Sequence, residues 1–587
     1  MSGRSYRDLF PSADGGRELG RITGRGAYMP PRMDVEMRRV TEMGRARILV
    51  AGIFMALIFT TIGGRLTQLA IRGESGDRPI AIATERVEPR PRANIVDRNG
   101  EVLATDLETA SLYANPRRLL DAEKAARAVV EVLPDMDYAA TLKKLQSDRG
   151  FVWLRRHLTP RQQWALLERG IPGLDFIDEY TRVYPQGALM PHLLGYVDSD
   201  NRGIAGLEKQ FEGYLAKSDE PLRLTIDMRV QHLMRRELGA AMREFQAKSA
   251  AGIVMDVRNG EILALVSMPD FDPNHPGKAG DDERFNRATL GVYELGSTFK
   301  VFTAAMALDT GAAVMTKRYD ATKPLQISRF LIRDYHAKKR WLTLPEVFVY
   351  SSNIGAALMA QDIGGQRQRD YLDKLGLLAP LAVELPETGS PITPETWRPV
   401  NTMTIGFGHG IAVSPLHLVN GVAAAVNGGL LYQPTIVADE HRIGDRAPRS
   451  VFKKRTSEEI RKLMRLTVEN GTGRNADAAG YAVGGKTGTA EKPDAKGYEG
   501  KRLLSSFVAA FPINDPRYVV LALLDEPKGN AATKGFATGG WVAAPIVRRV
   551  VERMAPMLGM PPLKDDAPGM RELEHYVKAE GRRFASY

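Results

Sequence analysis

From Ile48 to Gly64 the chain runs 17 residues with only Thr60 and Thr61 as polar breaks. That length is at the short end of a membrane span, which needs roughly 17–25 residues. Residues 1–47 hold ten arginines, six acids and no lysine. Positive charge stays on the cytoplasmic side of a span, so the N-terminus is expected inside and everything after Arg65 across the membrane. A cleaved signal peptide has an apolar core of ~7–15 residues and a nearby small-residue cleavage site. Here the leading segment is far too long, and the first such site, Ala81-Ile82-Ala83, is distant. A buried core helix would not carry the arginine asymmetry. The expectation is an uncleaved anchor over 48–66 behind a disordered basic arm, 1–47.

The 587 residues allow about three to four domains at ~150 each. With 43% hydrophobic and 26% charged residues the composition is globular. There is no cysteine, which excludes disulfides, thiolate zinc sites and a cysteine nucleophile. A net charge of +11 is modest for this length and gives no reason to invoke nucleic acid.

Two segments look alike: Ile95-Val96-Asp97-Arg98-Asn99-Gly100-Glu101-Val102-Leu103-Ala104 and Met255-Asp256-Val257-Arg258-Asn259-Gly260-Glu261-Ile262-Leu263-Ala264. Asn-Gly tolerates positive φ at both turn centres, so each predicts a β-hairpin. Mixed helices and loops are expected between them. Val230, Leu233, Met234, Leu238, Met242 and Phe245 recur in steps that mark an amphipathic helix after Asp227. Ser505–Phe511 and Tyr518–Leu524 are β-rich runs joined through Asn514-Asp515-Pro516, and Ala544–Leu558 reads as a helix. The second part therefore predicts an α+β fold: an antiparallel sheet assembled from both ends of the segment, with a helical insertion over about 285–475. The tail after Pro561 is polar and expected to fray.

Three clusters carry chemistry. In Gly296-Ser297-Thr298-Phe299-Lys300 a helix is expected to start at the serine. Ser297 and Lys300 then share one face. A serine hydroxyl needs a base to become a nucleophile, and burial or a second cation can make a lysine neutral enough to serve. The second cluster is Ser351-Ser352-Asn353, which alone reads as a helix cap. The third is Gly484-Gly485-Lys486-Thr487-Gly488-Thr489-Ala490. It also satisfies a P-loop pattern from Gly480, but a P-loop lies between a buried strand and a helix. The flanks here, Asn470–Asp477 and Ala490–Asp494, offer neither. The order S-x-x-K, S-x-N, K-T-G, spaced by 54 and 135 residues, is the signature of penicillin-recognising serine enzymes.

On these residues the chain resembles the class B penicillin-binding proteins. Arg92–Gly100, Arg182-Val183-Tyr184-Pro185, His192-Leu193-Leu194-Gly195 and Gly206-Leu207-Glu208 are similar to the pedestal motifs of that family. Tyr498-Glu499-Gly500-Lys501-Arg502, Ser505–Val508, Asp515–Tyr518 and Gly539–Pro545 resemble the division type more than the elongation type. There are departures: Ser352 stands where many relatives have aspartate, and Leu295 where many have proline. The resemblance implies a penicillin-binding transpeptidase fold with helices on both sheet faces and a helical subdomain, over 226–562. An elongated β-rich pedestal would occupy 67–225, and a tail 563–587.

The resemblance further implies a serine D,D-transpeptidase that cross-links peptidoglycan stem peptides at the septum and is a target of β-lactams. It would lie in the bacterial inner membrane, single-pass, with a periplasmic catalytic domain. Ser297 would be acylated and Lys300 would accept its proton. Ser351 would relay a proton to the departing D-alanine, Asn353 would hold the peptide amide and Lys300, and Lys486 would lower the proton affinity of Lys300. Thr487 and Thr489 would bind the substrate carboxylate, and the N–H groups of Ser297 and Thr489 would form the oxyanion hole. No cofactor or metal is implied, and His409 is read as structural. The implied partners are donor and acceptor stem peptides, an FtsW-type glycosyltransferase, FtsN and the FtsQ–FtsL–FtsB complex.

The alternatives are an elongation-type relative and, further off, a membrane-anchored β-lactamase, for which the long region before the catalytic part is unusual. A scaffold or penicillin sensor fits poorly with an intact Ser297, Lys300 and Lys486 and with no signalling domain. A bifunctional synthase would need a glycosyltransferase domain that the pedestal region is too short to hold.

Overall fold

The computed structural model describes residues 50, 52–65, 67, 90–327, 330–438, 447–492, 502–563, 575 and 580. The expected arm 1–47, the stretch 498–501 and nearly all of the tail lie outside them. The chain falls into two units, Met1–Val87 and Glu88–Tyr587. In the first, residues 52–65 are helical. Ile53, Phe54, Met55, Leu57, Phe59 and Ile62 on that helix are all exposed. Among the described residues no helix is long and apolar enough to cross a membrane.

The second unit opens with a five-stranded sheet: β1 (Ile95–Val96), β2 (Val102–Ala114), β3 (Val152–Leu158), β4 (Leu174–Val183) and β5 (Leu222–Arg223). The order is β3-β2-β1-β5, and β4 also pairs with β2. Helices Ala122–Val132, Tyr138–Leu145 and Pro160–Leu167 pack beside it, capped by Asp121, Asp137 and Thr159. Leu112, Val129, Leu133, Leu145, Leu158 and Leu166 form their common core. Strands β3 and β4 belong to the β-rich pedestal that the resemblance implies, but no local pattern marks them, and the segment between the two Asn-Gly hairpins reads as mixed helices and loops. The reason is physical. β4 is partly solvated and carries Asp175, Asp178, Glu179 and Arg182, so it lacks the clean apolar alternation that signals a strand.

The catalytic part is an antiparallel sheet of β6 (Ser249–Asp256), β7 (Ile262–Met268), β8 (Gly484–Glu491), β9 (Leu503–Phe511) and β10 (Tyr518–Asp525). Its order is β8-β9-β10-β6-β7, so the two ends of the segment meet at the β10–β6 pairing, as expected. The middle strands β6, β9 and β10 are buried almost throughout. Val254, Phe507, Val520 and Ala522 face one core, with helices α1 (Met228–Glu244) and Ala544–Met557. Ile253, Met255, Val508, Val519 and Leu521 face the other, with α2 (Lys300–Thr310), α3 (Asn353–Ile363) and Pro415–Val426. Helices therefore cover both faces, and the period of two sorts side chains between them.

Both Asn-Gly segments form hairpins, but only the glycine takes a positive φ, +93° at Gly100 and +80° at Gly260. An aspartate does the rest. Asp97 Oδ1 accepts the N–H groups of Asn99 and Glu101 at 2.7 and 2.9 Å. Its Oδ2 accepts the N–H of Met228 at 3.1 Å, at the first turn of α1. The first hairpin thus ties the pedestal sheet to the catalytic part, and Arg98 pairs with Glu261 of the second hairpin at 3.3 Å.

Candidate active site

Ser297 lies in a short 3-10 turn, Gly296–Phe299, and the α-helix begins only at Lys300. The helical segment thus opens at the serine, as expected, but with a tighter 3-10 first turn that is shaped by contacts from outside it. Gly296 has φ +55°. A methyl group on Gly296 would lie 2.8 Å from the carbonyl oxygen of Thr489 on β8. A methyl on Gly488 would meet Ser506 Oγ and lie 2.9 Å from the carbonyl oxygen of Leu295. Glycines at these two positions let the K-T-G strand press against the serine turn. Lys486 sits inside that strand, so no strand–loop–helix exists here and the P-loop pattern is fortuitous.

The Ser-x-Asn cluster supplies the opposite wall. Ser352 is the N-cap of α3, its hydroxyl accepting the N–H of Gly355 at 3.0 Å. Ser351 has φ +60°, an uncommon conformation for a residue with a side chain, and turns both its carbonyl and its hydroxyl toward Lys300. Asn353 Nδ2 donates to the carbonyl of Arg333 at 3.1 Å, which leaves Oδ1 facing Lys300.

The three clusters meet at Lys300. Its Nζ lies 2.8 Å from Ser297 Oγ, 2.8 Å from the carbonyl oxygen of Ser351, 2.7 Å from Asn353 Oδ1 and 3.2 Å from Ser351 Oγ. The carbonyl and amide oxygens can only accept. A neutral amine has two protons and one lone pair. Those two oxygens take both protons, so the lone pair is left for the hydroxyl of Ser297. Burial pushes the proton affinity of Lys300 well below that of a free lysine, the nearby Lys486 cation lowers it further, and Asp334 opposes in part.

Lys486 is also fully buried, with its Nζ donating to Ser351 Oγ at 2.9 Å and lying 5.8 Å from the centre of the Phe348 ring. Burial lowers its pKa to about 7. Ser351 Oγ therefore bridges the two lysines. Thr487 and Thr489 follow on the same strand, with their hydroxyls held by Thr472 Oγ1 at 2.8 Å and the N–H of Gly539 at 3.2 Å. All seven residues singled out from the sequence line one site. His409 lies outside this set, 3.3 Å from Glu294, whose carboxylate also accepts the N–H of Gly410 at 2.8 Å.

Two members escaped sequence reading. Asp334 accepts the hydroxyl of Ser352 at 2.7 Å and the N–H of Ile354 at 3.0 Å, and so fixes the turn that aims Asn353. Thr472 belongs to a Gly-Thr-Gly segment with no pattern of its own. Neither carries a signal in a single sequence. Among the described residues, no group of acidic or histidine side chains could hold a metal ion.

Residues 250–552 match the penicillin-binding protein transpeptidase domain, and residues 87–228 match the penicillin-binding protein dimerisation domain. The chain is 44% identical over 483 residues to a probable peptidoglycan D,D-transpeptidase FtsI of Caulobacter vibrioides, covering 80% of this chain and 82% of that one. It is 30% identical to a probable peptidoglycan D,D-transpeptidase PenA of Neisseria meningitidis, covering 91% and 96%. Penicillin-binding protein 3 of Mycobacterium tuberculosis, solved with ampicillin, has the same fold, with a TM-score of 0.64 at 23% identity over 82% of this chain and 98% of that one. Dimerisation and transpeptidase domains in one chain, the second holding a serine against a buried lysine, place this protein among the class B penicillin-binding proteins.

Proposed function

We propose that Ser297 is the nucleophile of this peptidoglycan D,D-transpeptidase and that the neutral amine of Lys300 is its base. The observation that carries the reading is the set of acceptors around Lys300 Nζ, which uses both amine protons and leaves a lone pair facing Ser297. Ser297 Oγ attacks the carbonyl between the two terminal D-alanines of a stem peptide, and its proton passes to Lys300. The C–N bond breaks, and the departing amine takes that proton through Ser351, which touches both lysines. An amine of a neighbouring stem then attacks the ester. It gives its proton to Lys300, which returns it to Ser297 as the cross-link forms.

Asn353 orients Lys300 and the donor amide. Lys486, Thr487 and Thr489 receive the donor's terminal carboxylate. The oxyanion is held by the N–H groups of Ser297 and Thr489, which suits Thr489's place on the edge strand of the sheet. β-Lactams acylate the same serine.

The finer organisation is part of the same reading: a basic arm 1–47, an anchor over 48–66, a pedestal over 67–225, a transpeptidase domain over 226–562 and a tail from 563. The anchor draws support from the exposed apolar residues of the 52–65 helix, which would be costly in water. The protein works at the division septum, as the name of its FtsI relative suggests. There an FtsW-type polymerase and divisome proteins such as FtsN and FtsQ–FtsL–FtsB would be its partners.

One experiment tests the whole. Cells depleted of this protein are complemented with wild type or Ser297→Ala, and their membranes are labelled with a fluorescent penicillin. The expected result is a labelled band and normal division only with wild type, and filaments with the variant. Rounded cells would point to elongation, a labelled Ser297→Ala band would remove Ser297 as nucleophile, and rapid penicillin turnover would favour a β-lactamase.

A further inference from the structure

Residues Arg333 to Trp341 read Arg-Asp-Tyr-His-Ala-Lys-Lys-Arg-Trp, a basic stretch bordering the site. Its inner side is committed to the catalytic turn. Asp334 bonds to Ser352 and Ile354, and the Arg333 carbonyl accepts from Asn353. Its outer side is not. Lys338 Nζ lies 4.3 Å from the centre of the Tyr350 ring, one residue before Ser351, and Arg340 lies 6.0 Å from the same ring while pairing with Glu346 at 2.7 Å. Arg333, Lys338 and Lys339 are exposed, and among the described residues none of the three has a carboxylate partner. Some exposed arginines of this chain are paired, Arg90 with Asp219 and Arg117 with Asp148, while others such as Arg118 and Arg161 have no ion pair among the described residues, so it is the place of these cations beside Asn353 that sets them apart. Exposed cations on a loop joined to Asn353 and Tyr350 raise the local concentration of anions beside the site.

The direction of the donor gives the loop its meaning. In the reading above, the leaving half of the donor points its carboxylate at Thr487 and Thr489, and the amide of the acyl half meets Asn353. The acyl half then continues past Asn353, whose own amide is bonded to the first residue of this loop. We propose that the Arg333–Arg340 loop is a second carboxylate subsite, selecting donors with an acidic group on the acyl side of the scissile bond. This rests on the assignment of Ser297 and Asn353, and it adds a specificity that the three sequence clusters do not encode.

Two penicillins separate the ideas. Benzylpenicillin and its α-carboxy derivative differ by one carboxylate on the acyl side chain and share the carboxylate that would meet Thr487 and Thr489. Acylation rate constants of the full-length protein are measured by intact mass, for wild type, Lys339→Gln and Lys338→Gln/Lys339→Gln. The expected result is that the rate ratio of carboxylated to plain penicillin falls about fivefold in the double variant, the scale of exposed charge pairs. The wild-type ratio should also fall as salt rises. Lys339→Glu, at a side chain that stacks on no ring, lowers the ratio further and keeps the test valid if losing Lys338 disturbs Tyr350. Stem-peptide donors with a free or amidated acidic side chain are expected to follow the same order. An equal ratio in all proteins, or one insensitive to salt, overturns the subsite. Failure of both penicillins to acylate Ser297 in the wild type overturns the active-site reading instead.

Discussion

Arg92 and Arg182 are buried beside Glu208 and Asp106 in the pedestal, while Lys300 and Lys486 are buried among neutral oxygens in the transpeptidase domain. In the pedestal, Glu208 receives Arg92 at 2.8 Å and Arg182 at 2.6 Å, and Arg182 also meets Asp106 at 3.1 Å. Burial works against the Arg92 charge, but Glu208 and Glu212 outweigh it and hold the guanidinium above its ordinary pKa. Charge there is fixed. Around the lysines, among the described residues, hydroxyl, carbonyl and amide oxygens accept, with no carboxylate in hydrogen-bond reach. Charge there is loose, and both amines shed protons easily. The residue types match the tasks. An arginine never gives up its proton in a protein, whereas a buried lysine does so readily. Equal burial therefore makes a clamp in one place and, in the proposed mechanism, a base in the other.

The comparison breaks first at the base. Lys300→Ala removes the proposed base, and acylation by a penicillin is expected to slow ~10²–10⁴-fold, the usual worth of a positioned base. The thermal midpoint should move less than on breaking the clamp, because the buried oxygens of Ser351 and Asn353 that lose a donor are neutral and no charge is left unpaired. Stopped-flow acylation and a melting curve on one preparation check both halves. A slowing of less than about tenfold would show that some other group deprotonates the serine.

The clamp should give the opposite result. Glu208→Gln keeps the shape but leaves two buried guanidinium groups short of a counter-charge. Removing one partner of a buried ion pair costs about 3–5 kcal/mol. Chemical denaturation followed by fluorescence is expected to show that loss, while the folded protein acylates at the wild-type rate. A large drop in acylation with unchanged stability would mean that the pedestal cluster acts on the site and not on the fold.

This contrast also explains what the sequence could reveal. Ser297 and Lys300 are three residues apart and Ser351 and Asn353 two apart, so covalent geometry fixes each pair locally. Which strand carries Lys486 to them, 135 residues beyond Ser351, is set by a sheet whose ends meet only in the fold. The family resemblance, not the spacing, made that connection. The pedestal cluster was half visible. Arg92, Arg182 and Glu208 sit in quoted motifs, but Asp106 sits in a strand with nothing to mark it, and the pairing depends on which way β4 faces. Asp334 was invisible for a plainer reason: an aspartate on a loop is ordinary until it is seen to cap α3. The tight 3-10 form of the serine turn was not legible, because Gly296 and Gly488 answer to contacts with another strand, which local helix signals do not contain.

The smallest expected effect sharpens the comparison most, since it asks whether the charge at the lysines is really loose. Lys486 in the free protein has a pKa of about 7, set by burial. An ammonium there lowers the proton affinity of Lys300 by repulsion and, in the proposed mechanism, draws the substrate carboxylate. As pH rises through about 7, Lys486 loses its proton, and the second-order rate constant for benzylpenicillin acylation is expected to fall, at most tenfold per pH unit. As pH falls, Lys300 takes up a proton despite its burial and its neighbour, and the rate declines again on the acid side. The two limbs make a bell. The alkaline limb should move upward when the limiting rate at saturating penicillin is measured, because a bound carboxylate favours the charged form of Lys486. The pedestal cluster cannot imitate this, because a guanidinium side chain keeps its proton in proteins. A profile flat across the neutral region in both measurements would show that the two lysines hold their charges as firmly as Arg92 and Arg182 do, and the distinction between clamp and base would rest on residue identity alone.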